Sequence, residues 1–324
     1  MRKLNFNVKS SPLIKKHVNI AAVNILRYFM LLIIGYIVIY PMLYMVSNAV
    51  KSERAMLDIT RVWLPKYLSF ESFKRAFKFL DFPRAFKRTI TLQVVSALVE
   101  VFTCSMIAYG FARFKFRGKG LAMTVLIISL LIPTQMYSLP LAVNYRQLDI
   151  LGIFGMINKF TGIDLRINVY ATDFSFWLPS IFGVGIRAGM LIYIYMQFYT
   201  GLPFELEEAA YIDGAGLFRT YFNIALPSSS VIIVTASVLS VIWHWNEYFL
   251  SALCFNKTDW PLSVSLYNIK ETLVQNGIWM KMSKGAAETT VYAACLLFII
   301  IPLILYLFLQ RKFVKSIDRV GITG

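Results

Sequence analysis

The sequence predicts an all-α polytopic membrane protein of about six transmembrane helices, and three observations carry that reading. Apolar residues make up 58% of the 324-residue chain and charged residues only 15%, where a soluble domain carries about a quarter charged. The apolar residues gather into runs of about 20, the length a helix needs to cross a hydrocarbon core of about 30 Å. The Lys and Arg residues behind the net charge of +16 flank those runs. Long basic side chains reach the lipid headgroups from such positions, and they do not form the continuous field that nucleic acid would need.

Taken in order, residues 1–27 form a basic, acid-free N-terminal segment. No small-residue cleavage site follows the full-length apolar run behind it, so the first span is read as uncleaved. Spans are expected at 28–50, 89–112, 121–143, 181–200, 228–253 and 289–309. They make residues 28–310 a transmembrane domain, with residues 311–324 as a C-terminal tail. The fourth span is the least regular, because Gly183, Gly185, Arg187 and Gly189 interrupt it. Glu100, Gln135, Arg187 and Glu247 fall inside spans, which calls for helix contacts or a water-filled path instead of lipid on every side.

Between the first two spans, Phe73, Ala76, Phe77 and Leu80 share one helical face, and Lys74, Arg75 and Lys78 the other. That spacing suits a helix in the outer headgroup layer; a basic face that attracts an anionic substrate is the sharper alternative. Lys and Arg are nearly balanced between the two sides. The short Arg113–Lys119 segment and the acid-free N-terminal segment carry the most weight, and they place both termini in the cytoplasm. Cys104, Cys254 and Cys295 are scattered, so neither a disulfide framework nor a metal centre is expected.

The stretch "ELEEAAYIDGAGLFRTYFNIALP" stands apart. Pro203 sits where a helix begins, and Glu205, Glu207 and Glu208 occupy its first turns, where the helix dipole favours negative charge. Ala209 and Ala210 permit close approach, Asp213 adds a fourth acid, and Gly214 and Gly216 punctuate the helix. Tyr211, Ile212, Leu217 and Phe218 are apolar, unlike an ordinary polar loop. The reading is two short helices joined by a glycine bend outside the membrane, forming a docking surface.

Glu208-Ala209-Ala210, three residues, Gly214, nine residues, Ile224, one residue, then Leu226-Pro227 resembles the EAA signature of the inner-membrane permease subunits of bacterial ATP-binding-cassette importers. "AAYIDGAG" is similar to the carbohydrate branch, the maltose-permease type. The colinear pieces "IYPMLYMVSNAVKS", "AYGFARFKFRGKG", "LIPTQMYSLPL", "WNEYFLSALCF" and the tail "QRKFVKSIDRVGITG" resemble the six-span member of such pairs. The outer segment from Asn158 to Phe176 is longer than that branch usually has.

The resemblance implies a coupling helix within residues 201–227 that sits in a cleft on a separate cytoplasmic ATPase dimer. Glu208 would pair with a basic residue there, Ala209 and Ala210 would allow close contact, and Gly214 would make the bend. It also implies a second, homologous permease subunit, an extracellular solute-binding protein, a sugar or oligosaccharide substrate, and a C-terminal tail that reaches the ATPase. No G-x-x-x-x-G-K-[ST] loop occurs. The chain is therefore expected to need no cofactor of its own, with ATP and Mg bound by the partner, and to be no enzyme. From the residues themselves, a helix held at its base transmits a push, and Pro227 is expected to open the next span and fix its direction.

Two other classes of protein could use the polar residues within the spans. An intramembrane protease would use His244 with Ser237 or Ser240, and an ion-coupled secondary transporter would use Glu100, Arg187 and Glu247; neither accounts for the EAA spacing. An ABC permease for a non-carbohydrate solute is the nearer alternative. For a substrate path the candidate is "WHWNEYF", about 25–30 Å along the helix from Pro227. On a continuous helix Trp243 and Glu247 share a face, as do His244 and Tyr248, with Asn246 beside them. The same residues would equally form an aromatic belt at the outer interface.

Overall fold

Long apolar runs must satisfy their backbone groups internally once water is gone, and helices are the simplest solution. The computed structural model describes residues 12–56, 63, 67–149, 152–275 and 284–321, with the backbone path alone for 12–19, 22 and 311–321. Its elements are α1 (Pro12–Ala49), α2 (Glu53–Met56), α3 (Glu71–Phe79), α4 (Phe82–Thr89), α5 (Val95–Arg113), α6 (Lys119–Leu131), α7 (Thr134–Asn144), α8 (Ile153–Thr161) and α9 (Phe174–Ile181). They continue as α10 (Ala188–Gly201), α11 (Glu205–Ile212), α12 (Leu217–Thr220), α13 (Leu226–Ser228), α14 (Ser230–Trp245), α15 (Phe249–Cys254), α16 (Leu262–Tyr267), α17 (Ile269–Gln275) and α18 (Lys284–Gly321). Among the described residues the only β pairing is two isolated bridges, Lys51 with Leu68 and Leu148 with Ile167.

Among the described residues three helices are long and apolar enough to cross a membrane without a break: Val23–Ala49, Phe82–Arg113 and Lys284–Gln310. The second begins seven residues before its expected start at 89, because α4 runs into α5 through a π-helical turn at Ile90–Val94. The expected third span is a bent pair, and the expected fifth is bent at its start and stops early, at Trp245. α6 meets the segment Thr134–Gln147 at 106°, and the segment Leu217–Ser228 meets α14 at 79°. Pro133 explains the first bend: it lacks an N–H, and Ile132 before it is extended at φ −84°, ψ 116°, the conformation a following proline enforces. The expected fourth span begins only at Ala188, and its 14 residues are too few to cross alone.

The centre of the bundle is the face between α5 and α10. Cys104 and Ala108 are fully buried against Leu191, Ile192 and Tyr195, and side chains this small let two helices approach closely. α1 is almost wholly exposed along its apolar length and packs only near Ala49, as expected of a helix facing lipid. α3 departs from expectation. Ala76 and Leu80 are buried, and Arg75 donates to Thr290 (3.1 Å), Thr289 (3.5 Å) and Glu53 (3.2 Å). The helix is thus packed on α18 and not floated on headgroups. Lys74 pairs with Glu71, Arg84 with Asp81 and Arg88 with Asp173, so much of the basic field expected there is neutralised inside the chain. The C-terminal segment from residue 311 continues the helix of α18 to Gly321; the first 11 residues of the N-terminal segment and residues 322–324 lie outside the described ones.

Candidate functional site

The acidic stretch folds as an elbow. α11 carries Glu205, Glu207 and Glu208 in its first turn, and Gly214 ends it at φ +75°. Ala215 N–H donates to Ala210 O (2.9 Å) and Gly214 N–H to Tyr211 O (3.0 Å), the paired closure that a left-handed residue after a helix makes possible. Gly216 then turns extended and starts α12, which passes through a second π-helical turn at Tyr221–Ala225 into α13.

The side chains of the elbow divide by face. Glu205, Glu208, Ala209 and Asp213 are exposed, beside Ile212 at 85% and Phe218 at 72% exposure. Apolar side chains thus lie open beside carboxylates on one face of the elbow. Ala210 is buried, Ile224 and Leu226 are half-buried, and Pro227 is exposed. Glu207, expected with the docking residues, is instead fully buried. Its Oε1 accepts from Arg113 Nε at 2.7 Å, its Oε2 accepts from Tyr109 Oη at 3.0 Å, and Arg113 Nη2 donates to Leu202 O at 2.7 Å. Glu207 therefore ties the elbow to the end of α5. The signal for this was Tyr109 and Arg113, four residues apart and so on one face at the end of a span.

Pro227 does not open the next span as expected. It lies within α13, and α14 begins at Ser230 beyond the 79° bend. That bend is pinned by a buried hydroxyl network. Ser229 Oγ is 3.1 Å from Tyr199 Oη, which is 2.7 Å from Ser105 Oγ, and Tyr221 Oη donates to Ser105 at 3.0 Å. No motif pointed to these four residues, because each is an ordinary polar residue within an apolar run.

At the other end of α14 the helix stops at Trp245, so the helical spacing assumed for "WHWNEYF" fails beyond it. Trp243, Asn246, Glu247 and Tyr248 line one hollow together with Gln135 and Arg187. His244 does not share a face with Tyr248: it is buried inside the bundle, with Nε2 3.4 Å from Glu100 Oε2 and Nδ1 3.0 Å from Ser240 O. Ser240 Oγ donates to Ala97 O at 3.3 Å and is packed within the bundle, unlike the exposed nucleophile a protease needs. Tyr248 lies against Tyr267, with ring centroids 4.0 Å apart and planes tilted by 31°. Glu247 Oε1 accepts from Leu250 N–H at 2.8 Å, so its carboxylate caps α15. Arg187, which no motif placed in the path, lies with its Cζ 5.1 Å from the Trp243 ring centre. Among the described residues no group of three or more His, Cys, Asp or Glu is placed to hold a metal.

Helices long and apolar enough to cross a membrane, two bent helix pairs and an exposed elbow define a transport protein of the membrane. The model of the binding-protein-dependent transport system inner membrane component family matches residues 102–319, and the chain belongs to that family. It is 27% identical over 293 residues, 89% of this chain and 93% of the relative, to the probable starch degradation products transport system permease protein of Thermoanaerobacterium thermosulfurigenes. It is 26% identical to the diacetylchitobiose uptake system permease protein of Streptomyces coelicolor, over 90% of this chain and 86% of that one. A crystal structure of a bacterial ABC transporter involved in the import of the acidic polysaccharide alginate has a chain of the same fold. Its TM-score is 0.68 at 20% identity, covering 90% of this chain and 97% of that one.

Proposed function

We propose that this chain is one of the two permease subunits of an ATP-binding-cassette importer for a sugar or oligosaccharide. An extracellular binding protein delivers the substrate, and ATP and Mg are bound by a cytoplasmic ATPase dimer. In this reading α11 is the coupling helix. Glu205, Glu208, Ala209 and Asp213 face the ATPase, Gly214 shapes the turn, and both termini lie on the ATPase side. The observation that carries the reading is the division of the elbow: a buried Glu207–Arg113 anchor behind an exposed acidic and apolar face. A handle needs both, since force applied to the outer face reaches α5 only through a rigid joint. The permease relatives named for sugar uptake support the substrate class.

A cysteine at Ala209, in an otherwise functional subunit, is expected to cross-link to a cysteine in the ATPase cleft. Glu208→Ala and Gly214→Trp are expected to leave the subunit inserted while ATP hydrolysis no longer drives uptake. Normal uptake in both variants, with no cross-link, removes the proposal.

A further inference from the structure

The segment Gly183–Gly189 is drawn tightly into the bundle. A Cβ on Gly183 would stand 2.3 Å from Ile107 Cδ1, one on Gly185 2.5 Å from Glu100 Oε1, and one on Gly189 2.6 Å from Ser129 Oγ. Between these glycines sits Arg187, a non-glycine residue at φ +58°. Left-handed backbone at such a side chain costs about 1–2 kcal/mol and persists where the surroundings and a function hold it. The 14 residues of α10 place Arg187 about 21 Å from the elbow end, well inside a hydrocarbon core of about 30 Å. A guanidinium at that depth faces water or a counter-ion, not lipid.

Among the described residues Arg187 has no ion pair or hydrogen-bond partner for its guanidinium, which lies against the Trp243 ring. This sets it apart from Arg75, Arg88 and Arg113, each tied to an acid of the chain. The nearby acid, Glu247, is turned to the first turn of α15. Arg187 lines three neighbouring hollows, which also share Gln135, Tyr137 and Gly189 between them. A guanidinium lying on an aromatic face keeps its N–H fork free at the edge, and that fork matches the two oxygens of a carboxylate.

We propose that Arg187 reads the charge of the transported saccharide, so that the preferred substrate carries a carboxylate or another anionic group. Trp243 supplies the stacking surface beside it. This deepens the reading of the chain as a saccharide permease and rests on it.

The test uses the intact importer with its own partner subunits in cells. Uptake of a uronic-acid tetrasaccharide (tetragalacturonate) is compared with that of neutral maltotetraose, in the wild type, Arg187→Gln and Arg187→Lys. The expected result is uptake of the uronate. Arg187→Gln should lower it by about 10–100-fold, the worth of one charge-assisted contact, and Arg187→Lys by less. Uptake of the neutral sugar alone overturns the proposal, as does uronate uptake undiminished in Arg187→Gln. Loss of the second permease from purified Arg187→Gln complexes also overturns it, by making the arginine a subunit contact. If the assembled wild-type importer carries neither sugar, this proposal is overturned, and the saccharide reading is judged apart from it by uptake of other sugars; uptake of the neutral sugar alone leaves that reading standing.

Discussion

Among the described residues two glutamates, Glu207 and Glu100, are fully buried, and they are treated differently. Glu207 at the elbow uses both oxygens, one on Arg113 and one on Tyr109. Glu100, deep between α5 and α14, meets only His244 at 3.4 Å and Ser240 at 3.5 Å through Oε2, and its Oε1 has no partner. A paired and hydrogen-bonded buried charge is a fixed joint, because removing either member strands the other. Glu100, with one oxygen unpartnered and the other facing an imidazole and a hydroxyl at 3.4–3.5 Å, makes fewer and longer ties. The elbow's joint to α5 is therefore more completely hydrogen-bonded than the contact between α5 and α14 around Glu100.

The largest expected effect breaks the stiff joint. Glu207→Ala should destabilise the subunit by about 3–5 kcal/mol, since it leaves the Arg113 guanidinium buried without its acid. Glu207→Gln should cost less, and thermal melting of the detergent-solubilised complex measures both. Next comes the turn beside it. Gly214→Val should cost about 1–2 kcal/mol because a branched side chain resists φ +75°. Gly214→Asn, which tolerates that conformation, should cost clearly less. No atom lies within 4 Å of the added Cβ, so equal melting losses for the two would point to the turn's neighbours and not its backbone.

The comparison sharpens at the other carboxylate. Glu100→Gln should change the melting free energy by less than about 1 kcal/mol, because its contacts are few and 3.4–3.5 Å long; a loss as large as that of Glu207→Gln would show the two sites to be alike. The smallest stability change belongs to Glu208→Ala, at most about 0.5 kcal/mol for an exposed side chain. It should nevertheless lower the uptake obtained per ATP hydrolysed, a split between stability and coupling that no buried position in the elbow should give.

The elbow was legible because its signals are local. Acids in the first turn, small residues at 209 and 210 and a glycine at the helix end each act within a few residues. The inward turn of Glu207 was not legible, since its reason lies about 95 positions away at Tyr109 and Arg113. The spans show the same division. Apolar runs revealed where helices cross, but the bend at Pro133 depends on one ring and the residue before it, and hydrophobicity passes straight through. The hollow was hidden for a related reason. Helical spacing does not carry past Trp245, because Asn246 caps the helix and donates its side-chain amide to Ile242 O at 2.8 Å. Arg187 was within reach of the sequence: a lone cation among three glycines inside an apolar run must face a polar cavity or a counter-ion.

The 79° bend at Ser229 has a mechanical meaning. With the segment Leu217–Ser228 nearly perpendicular to α14, motion along that segment acts sideways on the base of α14, which becomes a lever. Its 16 residues make an arm of about 24 Å, so a shift of about 2 Å, the size common in helix movements, rotates it by about 5°. Trp243 rides near the far end of that arm, where the sweep is widest.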